Sequence, residues 1–304
     1  MQPRVLIIVL CYNGVALTVD CINSLHQLEY ESADILVVDN NSIDGTPTTI
    51  QSLFPDIILI QTGANLGFAA GNNVGLRFAL DHGYDYAFLL NNDTEVAPKM
   101  LKELLAVAET DDTIGMVGPT IYYYEQPERI WSAGGSIDWN HGTSRMRRLD
   151  QIDSYQHRDP EEVDFISGCA LLCKRSVIEH NGLLDERFFM YYEETEWCVR
   201  AKRAGFRIVH VPHAYILHKI PLDARADQPY VAYYMTRNRL LFLQTTGAGM
   251  SVWLHAGLFQ DLRTCMSLSV RRKWRSKRAQ RDAMLSAWGD FLQQRFGRWE
   301  ATEA

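Results

Sequence analysis

The sequence lacks a glycine-rich turn behind its first apolar stretch: CYNGVALT, residues 11–18, holds one glycine. A nicotinamide enzyme needs several there, so that backbone can approach a pyrophosphate. The phosphate-cradling GxxxxGK[ST] pattern is also absent, which removes the P-loop nucleotide enzymes. Six cysteines are scattered without a CxxC pair, which argues against a zinc ribbon or a disulfide framework and leaves buried thiols. No early apolar run is long enough to cross a bilayer. VLIIVLC (5–11) lacks a signal peptide's cleavage pattern and reads as a buried strand, so the chain is expected in the cytoplasm. Internal repeats and low-complexity linkers are missing too.

Positive charge is scarce except at one end. The net charge is −7, yet residues 263–304 carry ten Lys/Arg against four Asp/Glu, and the remainder carries 20 against 33. An acidic body excludes nucleic acid as a partner. In the basic end, VRRKWRSKRAQR (270–281) follows the spaced Leu254, Leu258 and Leu262 and precedes Trp288, Phe291, Leu292 and Phe296. Basic and apolar residues interleaved on helices suit an anionic membrane surface, or else a solvated face packed on the acidic body.

What is present is an alternation. Apolar strands are expected at 5–10, 34–39, 56–61, 86–91 and 114–119, with helices at 15–28, 46–54, 69–82 and 97–109 between them. Nearly continuous apolar strands fit a doubly wound, mostly parallel α/β sheet covered on both faces. Asn13 suits the cap of the first helix and Pro98 the first turn of the last. A β-hairpin is expected within 131–149, then a strand, a short helix, an aromatic loop, a helix at about 193–204 and a last strand. From Asp227 the pattern is helical. The expected division is 1–225, with two halves meeting at about 120/121, followed by a helical basic extension over 226–304.

Polar residues gather where the strands end: CYNG (11–14), DNNS (39–42), GANLGF (63–68) and NNDTE (91–95). Each alone is a turn by composition. Together they line the edge at which ligands bind such sheets, beyond the carboxyl ends of the strands. Asp93 is a hard oxygen ligand, suited to Mg²⁺ or Mn²⁺ holding a diphosphate.

VVDNNSIDGT, NLGFAAGNN, LLNNDTEV, the GCALL strand, LLDERFFMYYEETEWCVR and the histidine of YILHK resemble the family-2 inverting glycosyltransferases of GT-A fold. The likeness is to their rhamnosyltransferase-like and galactofuranosyltransferase-like branch, over about residues 4–245. It implies that Tyr12, Asn13, Asp39 and Asn41 meet the base and ribose, Asn41 being equally a turn residue. Asp39 can accept from the N3–H of a pyrimidine. Asn65, Phe68 and Asn72 would line the sugar-nucleotide pocket beside Asn91 and Asn92. Asp93 would be the metal ligand of a DXD-like motif, completed by His218, with His210 and His213 as competitors for that place.

In EETE (193–196) relatives usually carry Glu-Asp-x-Asp, whose second acid is the general base. That role falls to Glu194, whose extra methylene adds about 1.5 Å of reach. Acids also suit the first turn of a helix. Gly168, Cys169, Glu193 and Trp197 would stand on the acceptor side. Arg237 and Arg239 would meet diphosphate oxygens or else solvate a helix face. The implied activity is metal-dependent transfer from a dTDP- or UDP-sugar to a glycan or lipid-linked acceptor, near the inner face of the membrane. The alternatives are a sugar nucleotidyltransferase and a catalytically degenerate glycan-binding scaffold.

Overall fold

The apolar runs form strands whose successive side chains enter two different cores. In β1 (Val5–Cys11), Leu6 and Ile8 face one core, while Val5, Ile7 and Val9 face the other. That is why the run shows no polar alternation. A computed structural model describes residues 2–154, 158–220 and 228–300, with 272, 273 and 275 described in backbone only. The expected boundary at 225/226 lies outside the described residues.

In chain order, β1 is followed by α1 (Val15–Leu25), β2 (Ala33–Asp39), α2 (Thr46–Leu53), β3 (Ile58–Gln61), α3 (Gly67–Asp81) and β4 (Tyr86–Asn91). Next come β5 (Thr94–Val96), α4 (Met100–Ala108), β6 (Ile114–Tyr123), β7 (Gln126–Ser132) and the hairpin β8 (Gly135–Asp138)–β9 (Thr143–Met146). The hairpin falls where the glycine-containing turns put it. The rest of the sheet is β10 (Glu161–Glu162), β11 (Ala170–Lys174) and β12 (Arg207–His218), with α5 (Arg175–Asn181) and α6 (Glu193–Arg203) between the last two. The chain continues in α7 (Pro229–Thr245), α8 (Met250–Leu254), a π-helical segment (His255–Leu262), α9 (Arg263–Val270) and α10 (Arg278–Leu292).

The sheet order is β10-β12-β6-β11-β4-β1-β2-β3. β1, β2, β3 and β4 run parallel, as do β6 and β12, while β11 runs antiparallel between β4 and β6. One edge of the sheet therefore collects the carboxyl ends of the parallel strands and the amino end of β11. The C-terminal helices are not a detached tail, because Leu240, Leu241, Phe242 and Phe291 share a core with Phe165 and Trp197.

Two local expectations fail. Asn13 does not cap α1: Gly14 occupies the cap position, and the Asp44 carboxylate accepts from the amides of Gly14 (2.6 Å) and Val15 (3.2 Å). An acid thirty residues away replaces the local side chain at the positive end of the helix. Pro98 lies outside α4, which begins at Met100 with Lys99 at its cap.

Candidate functional site

The four polar strand ends meet at that one edge, and most of their polar side chains are spent on backbone. Cys11 pairs with Asp39 across β1 and β2. Asp39 is buried and accepts from the Ser42 amide at 3.1 Å. Asn13, in left-handed backbone at φ 61°, accepts from the Ile43 amide at 2.9 Å, and its own amide donates to Ser42 Oγ at 2.7 Å. Asn41 sits at φ 68°. Tyr12 presents a ring that is 47% exposed. Asn92 donates to Thr18 Oγ1 at 2.9 Å, and this ties the end of β4 to α1.

The residue that joins the β2 end to the 63–68 turn was not singled out from the sequence. Asn40 is buried, donates to the Gly67 carbonyl at 3.0 Å and to Asn65 Oδ1 at 3.2 Å, and accepts from the Leu66 amide at 3.0 Å. In DNNS the sequence offers no way to tell the inward asparagine from the outward one. Asn72 is buried, donates to the Phe68 carbonyl at 3.0 Å and leaves its Oδ1 without a partner.

Asp93 follows β4, and His218 ends β12. Asp93 Oδ1 lies 3.1 Å from His218 Nε2. The imidazole is fully buried against the edge of Trp131, at 4.9 Å between ring centroids. His210 is spent on Thr120 Oγ1 at 2.9 Å and is held neutral by burial, its pKa lowered to about 3. His213 is exposed. The geometry thus separates the three histidines that the sequence leaves in competition.

A carboxylate oxygen and an imidazole nitrogen at this spacing fit adjacent positions on one divalent cation. Bonds of about 2.1 Å at right angles put neighbouring ligand atoms about 3.0 Å apart. Among the described residues no three His, Cys, Asp or Glu side chains form a metal cluster. The remaining positions would fall to ligand and water, as is common for Mg²⁺.

The second half of the edge is built from the amino end of β11 and the start of α6. The Asn91 amide donates to the Cys169 carbonyl at 3.0 Å, so Gly168 stands next to the β4 terminus. A Cβ on Gly168 would lie 2.9 Å from the Phe68 ring and 3.6 Å from Glu194 Cβ. Glu194 therefore reaches the same edge as Asp93, over a residue with no side chain. Backbone N–H groups of Glu194, Thr195 and Gly168 favour its charged form, but burial outweighs them and raises its pKa. Glu193 is buried, and desolvation and the charge of Glu194 hold its carboxyl well above the usual range. Each of the two carries one buried oxygen without a partner.

The chain enters α6 through a strained aromatic turn. Phe189 (φ 65°, ψ −59°) centres a γ-turn of the rare hand, closed by the Met190 amide on the Phe188 carbonyl at 2.8 Å. Tyr191 and Tyr192 follow at φ 68° and 74°. The Phe189 carbonyl accepts from the Phe68 amide at 2.6 Å, and a Cβ on Gly67 (φ 82°) would lie 2.6 Å from that same oxygen. Glycine at 67 is what lets the 63–68 turn dock here.

Four expected site residues fall elsewhere. Trp197 is fully buried with Nε1 donating to the Gly182 carbonyl at 2.8 Å, because the apolar side of α6 lies on the sheet. It is a core residue and does not face an acceptor. The Cys169 side chain likewise points into a core, and only its backbone serves the edge. Arg237 is buried, and its five N–H groups meet Asn238 Oδ1, the Tyr233 hydroxyl and the carbonyls of Gly297, Arg187 and Phe188. It has no donor left for a diphosphate and solvates no helix face. Arg239 is buried against Asp261, which also accepts from Trp288 Nε1 at 2.9 Å. Asn238, between the two arginines, is the residue that sequence reasoning passed over. Its amide nitrogen lies 2.7, 2.7 and 2.9 Å from the carbonyls of Phe188, Met190 and Tyr191.

The family model for glycosyl transferase family 2 matches residues 6–182. The low-salt glycan biosynthesis hexosyltransferase Agl10 of Haloferax volcanii is 30% identical over 213 residues, 69% of this chain and 66% of that protein. The N-acetylglucosaminyl-diphospho-decaprenol L-rhamnosyltransferase of Mycobacterium tuberculosis is 30% identical over 269 residues, 80% of this chain and 86% of that protein. Among solved structures, the mannosyltransferase PcManGT from Pyrobaculum calidifontis, in complex with GDP-Man and Mn²⁺, matches with TM-score 0.61. At 16% identity over 97% of this chain and 88% of that one, the likeness is one of fold. It agrees with the GT-A sheet expected from the sequence.

Proposed function

Because the chain belongs to glycosyl transferase family 2, we propose that it moves a hexose, rhamnose first among candidates, from a dTDP- or UDP-linked donor. The acceptor is a hydroxyl of a growing glycan or lipid-linked saccharide, and the sugar carbon inverts. One juxtaposition carries this reading. The Asp93–His218 pair and the Glu194 carboxyl share a sheet edge, joined through the bond between Asn91 and Cys169.

Tyr12, Asn13, Asp39 and Asn41 hold the base and ribose, and Asn65, Phe68 and Asn72 line the sugar pocket with Asn91 and Asn92. Asp93 and His218 hold a divalent cation, Mg²⁺ or Mn²⁺, which when bound supplies positive charge to the departing diphosphate. The Glu194 carboxylate takes the proton of the acceptor hydroxyl as its oxygen bonds to the sugar carbon and the bond to the diphosphate oxygen breaks. Burial that raises the Glu194 pKa also makes its carboxylate a stronger base. Glu193 and Gly168 border the acceptor. Residues 1 to about 120 and about 121 to 225 act as donor and acceptor halves, and the helices from Pro229 onward brace the aromatic turn.

The test is thermal stabilisation by dTDP- and UDP-sugars with and without Mn²⁺. Binding at 100 times Kd stabilises the folded state by about 2.7 kcal/mol. A Mn²⁺-dependent rise in Tm is expected for the native chain and not for Asp93→Ala. Full metal-dependent turnover by Asp93→Ala would overturn the assignment.

A further inference from the structure

Residues 250–270 form one continuous run of helix, α8, the π-helical segment and α9, with an apolar ridge on its outside. Met250, Leu254, Leu258, Leu262, Met266 and Val270 recur every fourth residue, and each is 50–79% exposed. Phe259 adds a ring beside them, 62% exposed. In an α-helix a four-residue repeat drifts by about 40° per step and would wrap around the axis. The π-helical stretch turns less per residue and takes back part of that drift. The inner side of the run is pinned by buried Val252, Ala256, Cys265 and Leu268 and by Asp261 between Arg239 and Trp288. The ridge is thus a fixed feature of the fold. A contiguous apolar surface of this length marks an interaction site.

What lies beside the ridge indicates what covers it. One residue on from Leu262, Met266 and Val270 comes the row Arg263, Ser267 and Arg271, which with Trp274 and Lys277 lines a cleft of about 380 Å³. Three cations, the hydroxyls of Thr264 and Ser267, an indole and the Leu268 side chain line it, and among the described residues no carboxylate does. The aromatic residues expected to share this face do not: Phe291 is buried, and Trp288 is turned inward onto Asp261. The outward face is apolar and basic, on a chain whose remainder is acidic. A protein partner would have to match both an apolar ridge and a cationic cleft. An anionic bilayer presents acyl chains and phosphates side by side at that depth.

We propose that residues 250–270 lie flat on an anionic lipid bilayer, with the ridge among the acyl chains and a lipid phosphate in the Arg263–Arg271–Lys277 cleft. Among the described residues no helix is long and apolar enough to cross a membrane, so the contact is along the surface. The proposal deepens the lipid-linked acceptor reading above and rests on it. Its readout is vesicle binding, which needs neither donor nor acceptor, so its failure leaves the transfer reaction standing.

The test is sedimentation of the full chain with vesicles of phosphatidylcholine alone and with 30% phosphatidylglycerol. Binding is expected to the anionic vesicles only. Leu258→Glu/Leu262→Glu, both exposed, should bind more than tenfold more weakly. Arg263→Ala/Arg271→Ala should bind roughly 25-fold more weakly, at about fivefold per basic residue. Both variants should keep the native Tm and donor-induced shift. Inorganic phosphate at 10 mM should not displace the protein from vesicles. Displacement by phosphate would make the cleft a soluble-anion site. Equal binding by native chain and Leu258→Glu/Leu262→Glu, absence of binding, or a dimer dissolved by that variant would each overturn the proposal.

Discussion

The donor-side loops and the aromatic turn face each other across one sheet edge, yet they are held by opposite means. On the donor side, Asp39, Asn40, Asn13 and Asn92 bond to backbone or hydroxyls of neighbouring strand ends, and the loops they tie are short. On the other side, three of four consecutive residues, Phe189, Tyr191 and Tyr192, sit in left-handed or γ-turn backbone. Such conformations cost about 1–3 kcal/mol each and persist only where the surroundings over-determine them. Here Asn238 and Arg237 supply that determination from α7. The difference suggests a division of labour. On the reading proposed above, the 11–14, 39–42 and 91–95 loops would hold the donor by their own bonds, the 63–68 turn leans on the Phe189 carbonyl, and the placement of Glu193 and Glu194 depends on α7.

The most direct way to break that division is Glu194→Gln, which keeps the shape and removes the base. We expect kcat to fall by about 10²–10⁴, the usual range for losing a general base. The Mn²⁺-dependent shift in Tm with nucleotide-sugar should be unchanged, because no donor-side loop is touched. If the shift vanished with the activity, the two sides would be one unit and the comparison would fail.

The same contrast governs what the sequence discloses. An apolar run that stops on Asp39 or on Asn91-Asn92-Asp93 announces both a strand and a polar edge, since the signal and its cause lie within a few residues. The sheet and its polar edge are legible for that reason. The Asn238 contacts span 47–50 residues. No local pattern distinguishes a buried clamp in TRNRL from a charged helix face, and Arg237 was misread accordingly. Trp197 was misread for a related reason. Its neighbourhood to EETE in sequence says nothing of which side of α6 meets the sheet. Asp44 behaves the same way, since a side chain in an Asp-Gly turn caps a helix that begins thirty residues earlier.

A milder change sharpens the comparison from the clamp side. Asn238→Ala leaves buried carbonyls of the aromatic turn short of a donor, at about 1–3 kcal/mol. Equilibrium unfolding in urea should show that loss. Beyond stability, the turn should relax and misplace Glu194, lowering kcat while the Kd for nucleotide-sugar stays within twofold. A purely structural role would lower stability without separating kcat from Kd. Asn238→Asp, of equal shape but lacking the amide donors, should reproduce the defect, and an undiminished kcat in that variant would remove Asn238 from the positioning of α6.

The smallest expected effect is the pH dependence of stability contributed by Glu193. Its folded pKa is raised by burial and by the charge of Glu194, whereas in the unfolded chain it titrates near 4.3. Above about pH 4.3 the folded state therefore holds more protons than the unfolded state, and stability falls as pH rises toward the folded pKa. Glu193→Gln removes that titration. Tm measured from pH 4 to 8 should decline less in the variant than in the native chain, with the two curves diverging upward from pH 4.3. Parallel Tm curves would mean that Glu193 is ionised in the fold, and the burial argument for the neighbouring base would then lose its support.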